Sequence, residues 1–187
     1  MAELLERCSW CGTDPLYVKY HDEEWGKPVE DDKILFEFLI LEGAQAGLSW
    51  ITILRRREGY RKAFADFEVQ QVAAFNEDDV ERLMNDTGII RNRLKIKAAI
   101  SNAQLFIKLQ QEFGSFANYM WGFLPDRKPV INDIAGPGMV PARSELSDAI
   151  SKDMKKRGFK FFGTTICYAH MQATGMVNDH FNDCICK

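Results

Sequence analysis

The stretch Lys155-Lys-Arg-Gly158-Phe-Lys-Phe-Phe-Gly163-Thr-Thr-Ile-Cys-Tyr168 organises the whole chain. A basic helical end stops at Gly158, a short hairpin follows, and a new helix begins after Gly163. The first N–H groups of that second helix lack intrahelical partners and point outward at any anion. Glycine lets a phosphate approach the main chain, and Lys156 and Arg157 supply charge beside it. Gly158, Gly163, Thr164 and Thr165 then frame a helix-hairpin-helix, over about 145–175, able to hold a nucleic-acid backbone without reading its bases. Taken alone, the same pattern also suits a plain turn between two glycine-capped helices.

On either side, helical periodicity dominates. Ile34, Leu35, Phe38 and Leu39 recur on one face after the acidic start Asp31–Asp32. Trp50, Ile51, Ile53 and Leu54 form a second apolar segment after Gly47. Asn76 caps a short helix carrying Val80, Leu83 and Met84, stopped by Gly88. A long helix is predicted from about Arg91 to Phe113. The Pro125–Pro141 stretch, rich in proline and glycine, reads as loop. Ser144 caps a helix ending at Gly158, and a last helix runs from about Thr164 to Thr174, with Gly175 as its stop. Period-2 patterns are lacking, so the fold class is all-α.

At 187 residues and 46% hydrophobic, the chain suits a single domain, 1–187, with a sizeable core. A net charge of −3 does not advertise nucleic-acid binding. Three local basic clusters do: Arg55–Arg57, Arg91–Lys97 and Lys152–Lys160. Local patches matter more than net charge, although a solvated helix face is the ordinary explanation of each. The opening MAELLERCSW carries acids and no apolar leader core, and no apolar run reaches membrane length. The expectation is a cytoplasmic, monomeric protein with no membrane partner.

Cys8 and His21 lie near one end of the chain, and His180 and Cys184 near the other. Two thiolates and two imidazoles complete a closed tetrahedral zinc shell, which is a structural one. Cys11 and Cys186 offer a rival, all-cysteine shell with Cys8 and Cys184. Beside the first pair lie Trp10, Tyr20, Trp25, Glu42 and Trp50. A carboxylate among large aromatics suits a flat, electron-poor ligand.

LEGAQAGLSWITILRRRE (41–58), GIIRNRLKIKAAISNA (88–103) and KKRGFKFFGTTICYAHMQATGMVNDH (155–180) together resemble the 3-methyladenine DNA glycosylase I family, as does the opening ERCSW…DPLYVKYHDEEWG. The resemblance runs from Cys8 to Cys184 in the same order and spacing. It implies a helix-hairpin-helix glycosylase with two helical lobes around a base pocket. One structural zinc on Cys8, His21, His180 and Cys184 would join the termini. It also implies base recognition by Trp10, Tyr20, Trp25, Glu42 and Trp50. Gly47 and Leu48 match the element that enters the base stack. The partners implied are alkylated double-stranded DNA and free 3-methyladenine as product.

The residues can support that chemistry. A base in duplex DNA must be flipped out before its glycosidic bond is reachable. N3-methyladenine is cationic while attached to sugar, and a cation over aromatic faces gains about 0.5–2 kcal/mol. Glu42 can accept from the exocyclic amine and favours a cationic base. The base leaves as a neutral purine, so strong general-acid help is unnecessary. The superfamily aspartate would fall near Asp179, a weak candidate beside ligand His180. Thr165 stands where bifunctional relatives place a lysine, so no Schiff base can form there. The competing readings are a non-catalytic DNA-binding module, which needs no such pocket, and a catalytic zinc enzyme, which needs an open coordination position.

Overall fold

Helix α2 (Asp32–Gln45) is buried on every side from Leu35 to Glu42, and the other helices gather around it. Its sequence explains this. From Leu35 to Leu41 it is apolar all round apart from Glu37, and a helix without a polar face belongs inside. Asp31 caps it by accepting from the N–H groups of Lys33 and Ile34. Asp32 reaches forward to accept from the N–H groups of Phe116 and Ala117, fixing a distant helix start. The computed structural model describes residues 6–187; Met1–Leu5, part of the opening read as lacking a leader, lie outside the described residues.

In chain order the helices are α1 (Pro15–Glu23), α2, α3 (Trp50–Leu54), α4 (Arg57–Ala63), α5 (Val69–Ala73), α6 (Glu77–Met84), α7 (Arg93–Phe113), α8 (Phe116–Trp121), α9 (Glu145–Arg157) and α10 (Thr164–Ala173). The all-α expectation holds. The long helix starts at Arg93 under an Asn92 cap rather than at Arg91. Helix α6 ends at Met84, not at Gly88. Gly88 serves packing instead: a Cβ on Gly59 of α4 would lie 2.3 Å from the Gly88 carbonyl oxygen.

One feature escapes a period-2 reading. Strands β1 (Val130–Ile131) and β2 (Val177–Asn178) pair in parallel, Val130 with Val177 and Ile131 with Asn178. Two residues are too few to display alternation. The pairing ties the proline-rich segment to the C-terminal end of the chain.

A large core joins α2, α7, α8, α9 and α10 through Phe36, Phe106, Phe116, Met154 and Tyr168. A smaller cluster of Tyr20, Trp25, Phe38, Leu54 and Ala173 lies beside it, with Trp10 and Trp50 against it. No described helix is long and apolar enough to cross a membrane.

Candidate active site and metal centre

The smaller cluster borders a cavity of about 300 Å³. All of Trp10, Tyr20, Trp25, Glu42 and Trp50 line it. The rings meet edge to face or tilted: Trp10 and Trp25 centroids are 4.8 Å apart, and Tyr20 and Trp50 5.6 Å. Such contacts fix aromatic walls in place rather than letting them collapse together. From α10, Ala169 and Ala173 form one side at i, i+4, and their small side chains leave room.

Glu42 is 1% exposed. Burial raises its carboxyl above the ordinary carboxylate range, and His170 pulls it part of the way back. The contact is His170 Nδ1 to Glu42 Oε2 at 2.9 Å. The contrast with Glu37 on the same helix is informative. Glu37 meets Arg57 at 2.6 Å and Arg61 at 3.1 Å, so its charge is neutralised. Glu42 has no lysine or arginine partner among the described residues; its one partner is the His170 imidazole. A buried carboxylate in this condition favours an incoming cation.

Several lining residues are ones that sequence reasoning misses. Tyr17, Gln45, Pro137, Val140 and Gln172 border the cavity. Tyr17 and Gln45 lie three residues before Tyr20 and after Glu42, so helical spacing could have found them. Pro137 and Val140 arrive on the loop, which periodicity does not describe. His170 lies 128 residues from Glu42, and nothing in local spacing links the two.

Asp179 lies fully buried and accepts three hydrogen bonds: from Tyr168 (2.8 Å), Gln172 (2.8 Å) and Asn132 (2.6 Å). It does not line the cavity, but it orients Gln172, which does. Thr165 is exposed at the start of α10, and no lysine is among the cavity residues.

The metal candidates also converge. The ligand atoms of Cys8, His21, His180 and Cys184 all lie within 4.8 Å of one another, and all four residues are buried. Sulfur to nitrogen separations are 3.5 Å for Cys8–His180, Cys184–His21 and Cys184–His180. A tetrahedral ion at ordinary zinc distances spaces sulfur and nitrogen about 3.5–3.6 Å apart. The surroundings fit as well. His21 sets its other nitrogen 2.7 Å from Asp22, and His180 sets its own 3.0 Å from the Trp25 carbonyl. Such outer contacts fix the ring that faces a metal. The Phe181 N–H points at Cys8 Sγ (3.2 Å) and the Cys186 N–H at Cys184 Sγ (3.4 Å), as thiolates require. Burial pushes the His180 imidazole down to about 4, which leaves it neutral and able to ligate. Cys11 Sγ turns to the Cys8 carbonyl and Cys186 Sγ lies near the Asp22 carbonyl, so the all-cysteine shell is not assembled.

The cavity and this cluster share a wall. Trp25 stands edge-on to His180 at 4.7 Å, and Trp10 lies 5.2 Å from His21.

The hairpin between α9 and α10 rests on the end of α2. Gly43 faces Phe161, and Asn102 clasps Lys160 by both its N–H and its carbonyl (2.9 and 2.8 Å). Lys95 donates to the carbonyls of Ala44 and Ala46, closing α2. Gly47, at φ +84°, then turns the chain so that Leu48 stands 39% exposed. Gly158 caps α9 in the left-handed region. Gly163 begins α10 without any capping side chain. The Thr164 hydroxyl is bonded to Asp148 and Ser147.

Each basic cluster is engaged in part within the fold. Arg55 meets Asp14, Arg57 meets Glu24 and Glu37, Arg93 meets Glu81, and Lys97 meets Glu77. Arg157 meets Glu112 and Asp153, each at 2.7 Å. Lys156 is exposed and has no ion-pair partner among the described residues.

Known proteins share this fold and much of this sequence. Residues 10–187 match the family described as methyladenine glycosylase. The chain is 51% identical to DNA-3-methyladenine glycosylase 1 of Escherichia coli (strain K12) over 182 residues, 97% of each chain. It is 46% identical to DNA-3-methyladenine glycosylase of Haemophilus influenzae (strain ATCC 51907 / DSM 11121 / KW20 / Rd) over 181 residues, again 97% of each. A solved structure of 3-methyladenine DNA glycosylase I from Staphylococcus aureus, concerned with 3-methyladenine recognition, superposes with a TM-score of 0.93 at 37% identity. That superposition covers 98% of this chain and 97% of the other. With the fold and nearly the whole length in common, this chain belongs to the methyladenine glycosylase family.

Proposed function

We propose that this protein is a monofunctional DNA-3-methyladenine glycosylase, acting in the cytoplasm as a monomer in base excision repair. The observation that carries the reading is Glu42: a buried carboxylate without a lysine or arginine partner, facing a cavity walled by Trp10, Tyr20, Trp25 and Trp50.

The damaged nucleotide leaves the duplex and enters the cavity, while Leu48 at the Gly47 turn fills the gap in the stack. Trp50 and Tyr20 offer stacking faces. Glu42 accepts from the exocyclic amine and complements the positive charge that an ordinary adenine lacks. Water attacks C1′, and the base departs as a neutral purine. No residue here need act as a strong acid, and Asp179, with its oxygens occupied, serves position rather than chemistry. Thr165 offers no amine, so lyase chemistry is not expected.

Around the cavity, the single domain of 1–187 is read as two helical lobes. The helix-hairpin-helix of about 145–175 holds the DNA backbone. Support comes from Gly158, Gly163 and the uncapped start of α10 at Thr164 and Thr165, with Lys156 beside them. Arg157 is tied back to α7 and braces the hairpin. Cys8, His21, His180 and Cys184 hold one zinc per chain, which joins the termini and has a structural role.

The deciding experiment separates the bases released from methylated duplex DNA by chromatography. The expected result is free 3-methyladenine with poor release of 7-methylguanine, whose edge presents a carbonyl acceptor where Glu42 needs a donor. Binding of DNA without release of any base would leave the non-catalytic module as the better reading.

A further inference from the structure

The partner of Glu42 decides what its charge can do. His170 is fully buried on α10, with Nδ1 2.9 Å from Glu42 Oε2. Its Nε2 is also sealed from solvent and has no hydrogen-bond partner. The ring stands edge-on to Phe162 at 5.5 Å. A proton on Nε2 would be a buried donor with nothing to meet, which is costly. The imidazolium, carrying protons on both nitrogens, meets the same objection. A neutral ring with its proton on Nδ1, donated to the carboxylate, leaves no donor unpaired, only the lone pair on Nε2.

We propose that His170 is a positioning residue for base recognition: its Nδ1–H holds Glu42 ionised and fixes Oε2, leaving Oε1 turned to the cavity for the base, without neutralising the charge. This rests on the reading of the cavity as the base site. Glu37 illustrates the alternative, since its two arginines satisfy the carboxylate and cancel it. A neutral imidazole orients the carboxylate and leaves the negative charge for a cationic ligand. No atom of His170 needs to touch the base.

The other titratable groups near Glu42 do not compete in the acid range. The Tyr20 hydroxyl from α1 and the Cys167 thiol from α10 are both raised by burial first and by Glu42 second, and stay protonated. Lys95, from α7, is spent on the carbonyls of Ala44 and Ala46 at the end of the same helix. Glu42 is therefore the group whose titration reports on the contact.

The test compares wild type, His170→Leu, which removes the donor, and His170→Asn, which keeps an N–H near the Nδ1 position. Single-turnover release of 3-methyladenine from methylated duplex is followed against pH. His170→Leu is expected to be slower by about 10- to 100-fold, the equivalent of a lost hydrogen bond to a charged group. Its acidic limb should move upward by about one to two pH units, because the interaction favouring the ionised carboxylate is gone. His170→Asn should recover most of both. A His170→Leu profile that overlays the wild type would reduce His170 to packing and overturn the proposal. Nuclear magnetic resonance of the unliganded protein decides the matter even if no base is released. A His170 proton on Nε2, or a Glu42 midpoint unmoved in His170→Leu, defeats the proposal. Failure of the cavity reading would show differently, as Glu42→Gln excising as fast as the wild type.

Discussion

Cys8 Sγ and His180 Nδ1 lie 3.5 Å apart although 172 residues of chain separate them. A metal held there closes a loop that spans most of the chain. One zinc per chain is therefore expected in the purified protein, by elemental analysis, and metal binding contributes to folding free energy. Cys8→Ala or chelation should lower the thermal midpoint substantially. Because Trp25 and Trp10 lean on the two histidines, tryptophan fluorescence should shift with metal loss. Fully folded protein with metal content near zero would sink this expectation.

Lys156 and Arg157 are neighbours with different tasks. Lys156→Ala should weaken binding to every duplex alike and reduce the salt slope of log K by about one. Arg157→Ala should act mainly on stability. Its guanidinium joins Glu112 and Asp153 and sits over the rings of Phe113 and Tyr119 at 5.4 and 5.3 Å. At 29% side-chain exposure these contacts are screened, so a loss of about 1 kcal/mol is the right order. Salt titrations of DNA affinity and thermal melts separate the two. A loss that depended strongly on base sequence would contradict backbone contact by the hairpin.

What the sequence disclosed followed from periodicity and residue chemistry. The caps at Asp31, Asn76 and Ser144 and the stop at Gly158 were legible because each acts within one turn. The cavity aromatics and the four metal candidates were legible as residue types, with the family resemblance supplying their grouping. His170 was not, since its meaning depends on a helix packing 128 residues away. Nor was the engagement of Arg57 and Arg157: a basic run shows charge, and only the fold shows which carboxylates meet it. Gly88 was read as a helix stop by local rules, while its use is to let α4 pass.

That crossing gives a sharp stability test. A Cβ at position 59 would lie 2.3 Å from the Gly88 oxygen and 2.8 Å from its carbonyl carbon, both backbone atoms that cannot rotate away. Gly59→Ala gains helix propensity but must push two segments apart. Overpacking of this kind costs about 1–3 kcal/mol, and each kcal/mol appears as about 2–4 °C in Tm for a chain of this size. Gly163→Ala, where a Cβ meets nothing within 4 Å, serves as the control and should melt close to the wild type. A Gly59→Ala protein as stable as the parent would show that the crossing has slack.

Glu42→Gln should trade activity for stability. Burial raises the folded carboxyl pKa, with His170 opposing only in part. For a carboxylate raised on folding, the native state binds more protons than the unfolded chain between the two pKa values. Stability therefore falls as pH rises through that window, and at neutral pH the ionised group is a net cost. Glutamine keeps an oxygen for the His170 Nδ1–H and removes the buried charge. The variant should melt higher than the wild type at pH 7, and the gap should close in acid as Glu42 takes up its proton. Excision of 3-methyladenine should slow in the same protein. Trp50→Ala gives the complementary case. It removes a stacking face, worth about 1–3 kcal/mol per base in comparable sites, and should lose more activity with no gain in Tm. If Glu42→Gln melted lower than the wild type at pH 7, the buried charge would be stabilised by the fold itself, and the idea that it waits for a cationic base would fail.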